Sequence, residues 1–253
     1  MWNKMKYPYL LLDVDGTIVG TVKSPTGHDP KLKNCLDRYM EMGGKVSLVT
    51  GRSEEYTSAI YELLGLNGAR IVEMGAGIIM PDNKRIMLAT IDDQEKVKIR
   101  SWLEKKGVYV LMKEEPKSFM MSLILPEFPH HNPVRLREIY EGIRKEFSAA
   151  FQEIEITVDS HSIDIYNKKA DKGRAIEVLA KEERIDLKKT AIVGDSRNDL
   201  PGFRVIGKDG GLVVYVGLDT EVEEQVKKEF VNHRITRNKK SEGLVELLEA
   251  ITS

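Results

Sequence analysis

Two rhythms of apolar residues run along this chain. Tyr9 to Asp13 reads YLLLD, Lys45 to Thr50 KVSLVT, Lys189 to Val193 KTAIV and Gly211 to Val216 GLVVYV. Short unbroken apolar runs bounded by glycine and polar residues predict strands buried on both faces, as in a parallel sheet. Between them the spacing becomes helical. Pro30 to Met42 sets Leu32, Leu36, Tyr39 and Met40 on one stripe and stops at Gly43-Gly44. Ser53 to Leu64, Asp171 to Glu183 and Leu244 to Ile251 are predicted helices of the same kind. Arg70 to Met80 and Arg85 to Ala89 read as strands joined by the turn Pro81-Asp82-Asn83. This alternation predicts a three-layer, Rossmann-like α/β domain with a mainly parallel sheet.

The middle of the chain has another order. From about Asn83 to Tyr166 the apolar segments are VYVLM, SFMMSLIL, IEITV and SIDIY, with helices expected over Asp92 to Lys106 and Pro133 to Phe151. Helix, strands, helix, strands predicts an α+β insert built on an antiparallel sheet. The expected division is therefore an α/β core of residues 1–82 and 167–253 and a cap of residues 83–166. Both ends of the insert return to the core, so it is expected as a lid over the carboxyl edge of the sheet.

Composition narrows the partners. The chain has 253 residues, and Lys plus Arg (39) nearly balances Asp plus Glu (40), for a net charge of -1. That balance does not favour nucleic acid or an anionic membrane. Cys35 is the single cysteine, which excludes an internal disulfide and suits a reducing compartment. Neither a signal peptide nor a membrane span is evident, and a cytoplasmic location is expected.

The chemistry gathers at the ends of the apolar runs. Asp13 and Asp15 stand two apart in DVDGT, so period-two geometry points both carboxylates the same way if the strand continues that far. Gly16 permits a tight turn, and Thr17 offers a hydroxyl and an N–H. The run KVSLVT delivers Thr50, then Gly51 and Arg52. Lys172-Gly173 opens a helix after the pair Lys168-Lys169. KTAIV delivers Gly194-Asp195-Ser196-Arg197-Asn198-Asp199. Alone, each has an ordinary structural meaning: a helix-capping hydroxyl, a solvated lysine, an aspartate in a turn. Together, each on an expected loop, they place phosphate- and cation-binding groups along one sheet edge, where open α/β sheets bind ligands.

In these segments the chain resembles the haloacid dehalogenase-like phosphatases. Their four motifs correspond to DVDGT at Asp13 to Thr17, T-G-R at Thr50 to Arg52, Lys172-Gly173, and GDSRND at Gly194 to Asp199. Aspartate at Asp15 resembles the phosphatase branch. The large insert between the second and third motifs is similar to that of the Cof-like sugar-phosphate phosphatases. Trehalose-, sucrose- and mannosylglycerate-phosphate phosphatases and archaeal phosphoglycolate phosphatases are arranged similarly.

The resemblance implies a Mg²⁺-dependent hydrolase of small phosphate monoesters acting through an aspartyl-phosphate. Asp13 is then the nucleophile, and Asp15 the acid that protonates the leaving group and the base that activates water. The metal set would be Asp13, Asp15 (through its backbone carbonyl), Asp195 and Asp199, an all-oxygen set suited to magnesium. Asp199 is expected to hold a metal-bound water or Lys172. Thr50, Gly51, Lys172 and Asn198 would bind the phosphate, with backbone N–H groups from Asp15 to Thr17. For Asp15 to act as an acid near neutrality, crowding by carboxylates and partial burial are expected around it.

Two segments depart from the pattern. Glu73-Met74-Gly75 stands where many relatives carry Glu-Asn-Gly, and Val216-Gly217-Leu218-Asp219 replaces a frequent Gly-Asn-Ala. Several conspicuous residues read as ordinary ones. His130-His131, His28 and His161 are expected in turns or on the surface, and Met120-Met121 in the core. Arg234 to Lys240 is expected as a solvated loop. The alternatives to a hydrolase are a phosphomutase or phosphotransferase using the same intermediate, a phospho-sugar sensor without turnover, and a protein phosphatase. The filled catalytic positions oppose the sensor, and the size of the insert opposes the protein phosphatase.

Overall fold

The computed structural model describes residues 5–20, 30–126, 132–158 and 162–252. His28, His130, His131 and His161 lie outside the described residues. The chain forms two compact units, residues 1–86 with 171–253, and residues 87–170.

The first unit is built on an eight-stranded sheet. Its strands are β1 (Tyr9–Leu12), β2 (Lys45–Val49), β3 (Arg70–Val72), β4 (Gly77–Ile79) and β5 (Arg85–Met87), then β10 (Thr190–Gly194), β11 (Leu212–Tyr215) and β12 (His233–Ile235). Their spatial order is β12-β11-β10-β1-β2-β3-β4-β5. β1 lies centrally and pairs in parallel with β2 and β10, Leu12 standing beside Leu48 and Val193. β11 and β12 extend the parallel half, and β4 runs antiparallel to β3.

Alternate residues of these strands serve opposite layers, which explains the unbroken apolar runs. Leu10, Leu12, Val46, Leu48, Val193 and Val214 form one buried cluster with α1 (Leu32–Glu41) and α8 (Lys240–Ile251), through Leu32, Leu36, Tyr39, Leu244, Leu247 and Leu248. Cys35 packs partly buried at its margin. Ile192 meets α5 (Lys172–Glu183) and α6 (Leu200–Lys208) at Ile176 and Gly202, where a Cβ on Gly202 would lie 2.9 Å from Ile192. Local signals set the helix ends. Ser53 caps α2 (Glu54–Leu64) by accepting from the Tyr56 N–H, and Gly65 ends it in the left-handed conformation.

Two expectations need correction here, and two helices had no counterpart in the sequence reading. The strand expected over Arg70 to Met80 is broken, because Glu73, Met74 and Gly75 take φ of +50°, +61° and +89° and reverse the chain. Gly75 is required at that reversal, since a Cβ would stand 2.4 Å from the Asp171 carbonyl oxygen. α6 and α7 (Thr220–Glu229) are helices that apolar spacing did not reveal. The basic run Arg234 to Lys240 is not a loop throughout: its start belongs to β12 and Lys240 opens α8.

The second unit is a four-stranded antiparallel sheet in the order β6-β7-β9-β8, with β6 Lys113–Glu115, β7 Met121–Ile124, β8 Ile154–Val158 and β9 Ser162–Asn167. With α3 (Asp93–Lys105) and α4 (Pro133–Ala150) it encloses a separate core of Leu103, Leu123, Ile139, Phe147, Ile156 and Ile165. Met120 and Met121 are fully buried. VYVLM is a turn instead of the expected strand, with Val110 and Leu111 exposed; β6 follows it. No helix among the described residues is long and apolar enough to cross a membrane.

Candidate active site

β1 ends at Leu12, but its ladder runs one residue further: the Asp13 N–H donates to the Val193 carbonyl at 3.0 Å. A tight loop follows. The Val14 carbonyl accepts from the N–H groups of Thr17, Ile18 and Val19, and the Gly16 N–H donates to Val19 at 2.7 Å. Buried Val14 and Ile18 anchor the loop in the core. Gly16 has φ +75°, and a Cβ there would stand 1.9 Å from Asp195 Oδ2. Only glycine lets the two acidic strand ends approach this closely. The N–H groups of Gly16 and Thr17, expected to face a phosphate, are thus engaged inside the loop. The Thr17 hydroxyl is buried without a hydrogen-bond partner among the described residues.

Lys172 is the first residue of α5, whose start is fixed by Asp171 accepting from the Arg174 N–H at 2.8 Å. Its buried ammonium donates to Asp13 Oδ1 at 2.8 Å and to Asp199 Oδ1 at 2.7 Å. Asp199 Oδ2 is held in turn by the backbone N–H groups of Asp195 and Ser196, both at 3.0 Å. Gly194 makes room for it, since a Cβ would meet Asp199 at 2.4 Å. Asp199 is thereby locked, and it locks Lys172 beside Asp13.

The electrostatics show an excess of negative charge. Burial pushes the Asp13 carboxyl well above the ordinary carboxylate range; the Lys172 ammonium opposes this, and Asp199 and Asp195 add to it. Burial by itself disfavours the Lys172 ammonium, but Asp13 and Asp199 more than reverse that, and its pKa is raised. Asp195 is pushed up to about 7, by burial first and then by Asp199, with Asp15 adding and Lys172 and Lys240 opposing.

Asp13, Asp195 and Asp199 each offer a carboxylate oxygen, all within 4.8 Å of one another. Three clustered carboxylates, brought together where the missing Cβ of Gly16 admits the Asp195 carboxylate, make up an all-oxygen donor set that fits a hard divalent cation. The Asp15 side chain is not part of this group.

Asp15 differs most from expectation. Its side chain is 47% exposed, and Arg52 forks it, Nε to Oδ2 at 2.8 Å and a terminal nitrogen to Oδ1 at 2.7 Å. A guanidinium, not a crowd of carboxylates, is its immediate neighbour. The same guanidinium stacks over the Tyr56 ring, 4.8 Å from its centroid. Thr50 is buried, and its hydroxyl accepts from the Arg52 N–H at 3.1 Å. The Glu73 N–H reaches the Arg52 carbonyl and the Met74 N–H the Thr50 carbonyl, so the reversed segment after β3 braces this loop. Met74 covers Gly51. Asn198 is exposed on the turn before α6. In the sequence Arg52 stands out only as the third residue of T-G-R, and Tyr56 carries no signal beyond its helix.

Linkage turns the Asp195 shift into a stability test. Below about pH 4 the carboxyl is protonated in folded and unfolded chains alike, at no cost. As pH rises the unfolded chain ionises first, so the metal-free fold loses stability until about pH 7, on the order of a few kcal/mol. Asp195→Asn removes this loss. In EDTA the melting temperature of the variant should gain on wild type by roughly 5 °C between pH 5 and pH 8. A gap that is flat with pH would show that Asp195 carries no such strain.

A sequence model of the haloacid dehalogenase-like hydrolases matches residues 10–134 and 131–210. The phosphatase YwpJ of Bacillus subtilis is 24% identical over 79% of this chain and 87% of its own. A phosphoglycolate phosphatase of Methanobrevibacter smithii is 24% identical over 97% of this chain and 98% of its own. Among solved structures, the sucrose-phosphatase from Synechocystis in complex with sucrose and phosphate superposes with a TM-score of 0.65 at 16% identity, over 98% of both chains.

Proposed function

The chain belongs to the haloacid dehalogenase-like hydrolases, among their phosphatases, and from that premise we propose that it hydrolyses small phosphate monoesters through a phosphoryl group carried on Asp13. The observation that carries this reading is the buried Lys172 ammonium bridging Asp13 and Asp199, with Asp195 completing a carboxylate set at one sheet edge. Such a set holds one carboxylate beside a fixed positive charge, as attack on an anionic phosphorus requires.

Asp13 attacks phosphorus, and the bond to the ester oxygen breaks. Lys172 holds one Asp13 oxygen in place and balances charge on the phosphoryl group, and the Thr50 hydroxyl and Gly51 border the phosphate. Magnesium, held by Asp13, Asp195 and Asp199, would supply the further positive charge. Asp15 gives its proton to the departing alkoxide and then takes one from the water that cleaves the aspartyl-phosphate. Both Asp15 oxygens are occupied by Arg52 in this structure. Proton delivery therefore requires that the fork open and that the released carboxylate take up a proton from solvent, and an arriving phosphate is an alternative partner for the guanidinium.

The α/β unit spends these groups on the phosphoryl end of the substrate. We assign the choice of leaving group to the inserted unit, expected as residues 83–166. Sucrose-phosphatase and phosphoglycolate phosphatase, as the relatives are named, support a sugar, polyol or small organic acid ester as the substrate class. The proposed setting is the cytoplasm.

The test is phosphate release from a panel of such esters by purified protein. EDTA should abolish it, Mg²⁺ should restore it and Ca²⁺ should inhibit, because looser coordination misaligns the attacking carboxylate. Full release in EDTA would remove the metal from the reaction, and transfer to an acceptor without release would make the protein a phosphotransferase.

A further inference from the structure

The basic run near the end of the chain reaches the site through its last residue. Arg234 pairs with Glu246 and Lys239 with Glu223. Lys240 turns elsewhere. It opens α8 with a left-handed backbone, φ +57°, which is unfavourable for any residue with a Cβ. Its N–H donates to the Val216 carbonyl at 2.8 Å, tying the helix start to the end of β11. Its side chain runs back to the loop after β1, where Nζ donates to the Gly20 carbonyl at 3.3 Å. A Cβ on Gly20 would lie 3.3 Å from Lys240 Cδ and 3.4 Å from the Gly16 Cα. Gly16 in turn abuts the Asp195 carboxylate. The ammonium thus sits on the loop that carries Asp15, and it is among the charges felt by Asp195.

We propose that Lys240 is a further positioning residue of this site: its ammonium pins the loop from Asp15 to Gly20 against the Asp195 end of the carboxylate cluster and offsets part of the negative charge there, favouring an anionic phosphate at the expense of divalent-cation affinity. The phosphate half of this inference rests on the phosphatase reading above; the cation half does not. A residue that merely held the fold together would, when lost, weaken both ligands. A charge that offsets the cluster moves them in opposite directions, and salt screens the effect. The backbone strain at Lys240 has the same sense, since a left-handed position is ordinarily glycine's and here a cation occupies it.

Lys240→Met keeps most of the aliphatic stem and removes the charge; Lys240→Arg keeps the charge. Calorimetric titration of Mg²⁺ into metal-free protein, then of inorganic phosphate into magnesium-loaded protein, reads both arms at low and high salt. Lys240→Met should bind Mg²⁺ about three- to tenfold more tightly and phosphate more weakly by a similar factor, both differences shrinking near 1 M salt. Lys240→Arg should stay near wild type. Weakening of both ligands by Lys240→Met, no change in either, or a shift insensitive to salt would overturn the proposal, as would a wild type that binds no Mg²⁺. If wild type releases phosphate from no ester, the phosphatase reading fails alone, and the Mg²⁺ titration still decides the role of Lys240.

Discussion

Asp13→Asn should lower turnover by about 10⁴-fold or more on every phosphate ester the protein accepts, while leaving the fold intact. The size follows from what the substitution removes. An amide has the shape of the carboxylate but no charge with which to attack phosphorus, and the neighbouring Asp199 is not free to replace it. Asp199 is locked by Lys172 and by the N–H groups of Asp195 and Ser196. The fold should survive because the asparagine oxygen can still accept from Lys172. The substitution also removes one of three crowded carboxylates, one that burial pushes toward its neutral form. In EDTA its melting temperature should therefore equal or exceed that of wild type. Turnover of Asp13→Asn near the wild-type rate, checked by phosphate release and by the absence of acid-stable ³²P on the protein, would remove Asp13 as nucleophile.

Asp15→Asn should divide substrates by leaving group. A sugar alkoxide needs a proton as it departs, and general acid catalysis typically supplies roughly 10²–10⁴-fold, so most activity on a sugar phosphate should vanish. p-Nitrophenyl phosphate needs that proton far less, and its first step should persist. The second step still lacks its base. The aryl ester should therefore give a burst of nitrophenolate followed by slow turnover, with phosphoenzyme accumulating in rapid-quench samples. The structure supplies the competing account. Asp15 is forked by Arg52, so its loss also removes a carboxylate partner from that guanidinium. If that ion pair were its whole role, losses would be equal on both esters and no burst would appear.

Much of the α/β unit was legible in the chain because its signals are local. An apolar run of four or five residues is buried on both faces wherever it sits in a parallel sheet, and YLLL, KVSLV and TAIVG are β1, β2 and β10. Chemistry-bearing residues that directly follow such runs fall at one sheet edge by topology alone, which is why Asp13, Thr50 and Asp195 could be singled out without coordinates. The family resemblance rested on those same residues.

Other features needed the folded chain. Lys172 bridges to Asp13 across 159 residues of sequence, and which carboxylates share its ammonium depends on strand register. The pairing of Arg52 with Asp15 spans 37 residues, and no periodicity distinguishes an arginine that forks a carboxylate from one that is solvated. α6 and α7 escaped notice because LPGFRVIGK carries proline and two glycines, and TEVEEQVKKE buries only Val222 and Val226. VYVLM has the composition of a strand yet forms a turn. The reversal at Glu73, Met74 and Gly75 and the left-handed start of α8 at Lys240 are strained conformations that local preference argues against. They persist because neighbouring backbone holds them, at Thr50 and Arg52 for the first and at Val216 for the second. The sequence by itself determined the buried parallel strands β1, β2, β10 and β11 and the polar residues that follow them, because both follow from short-range burial. Which charges then oppose or restrain one another was decided by the tertiary structure, because electrostatic partners are chosen by distance in space and not by spacing along the chain.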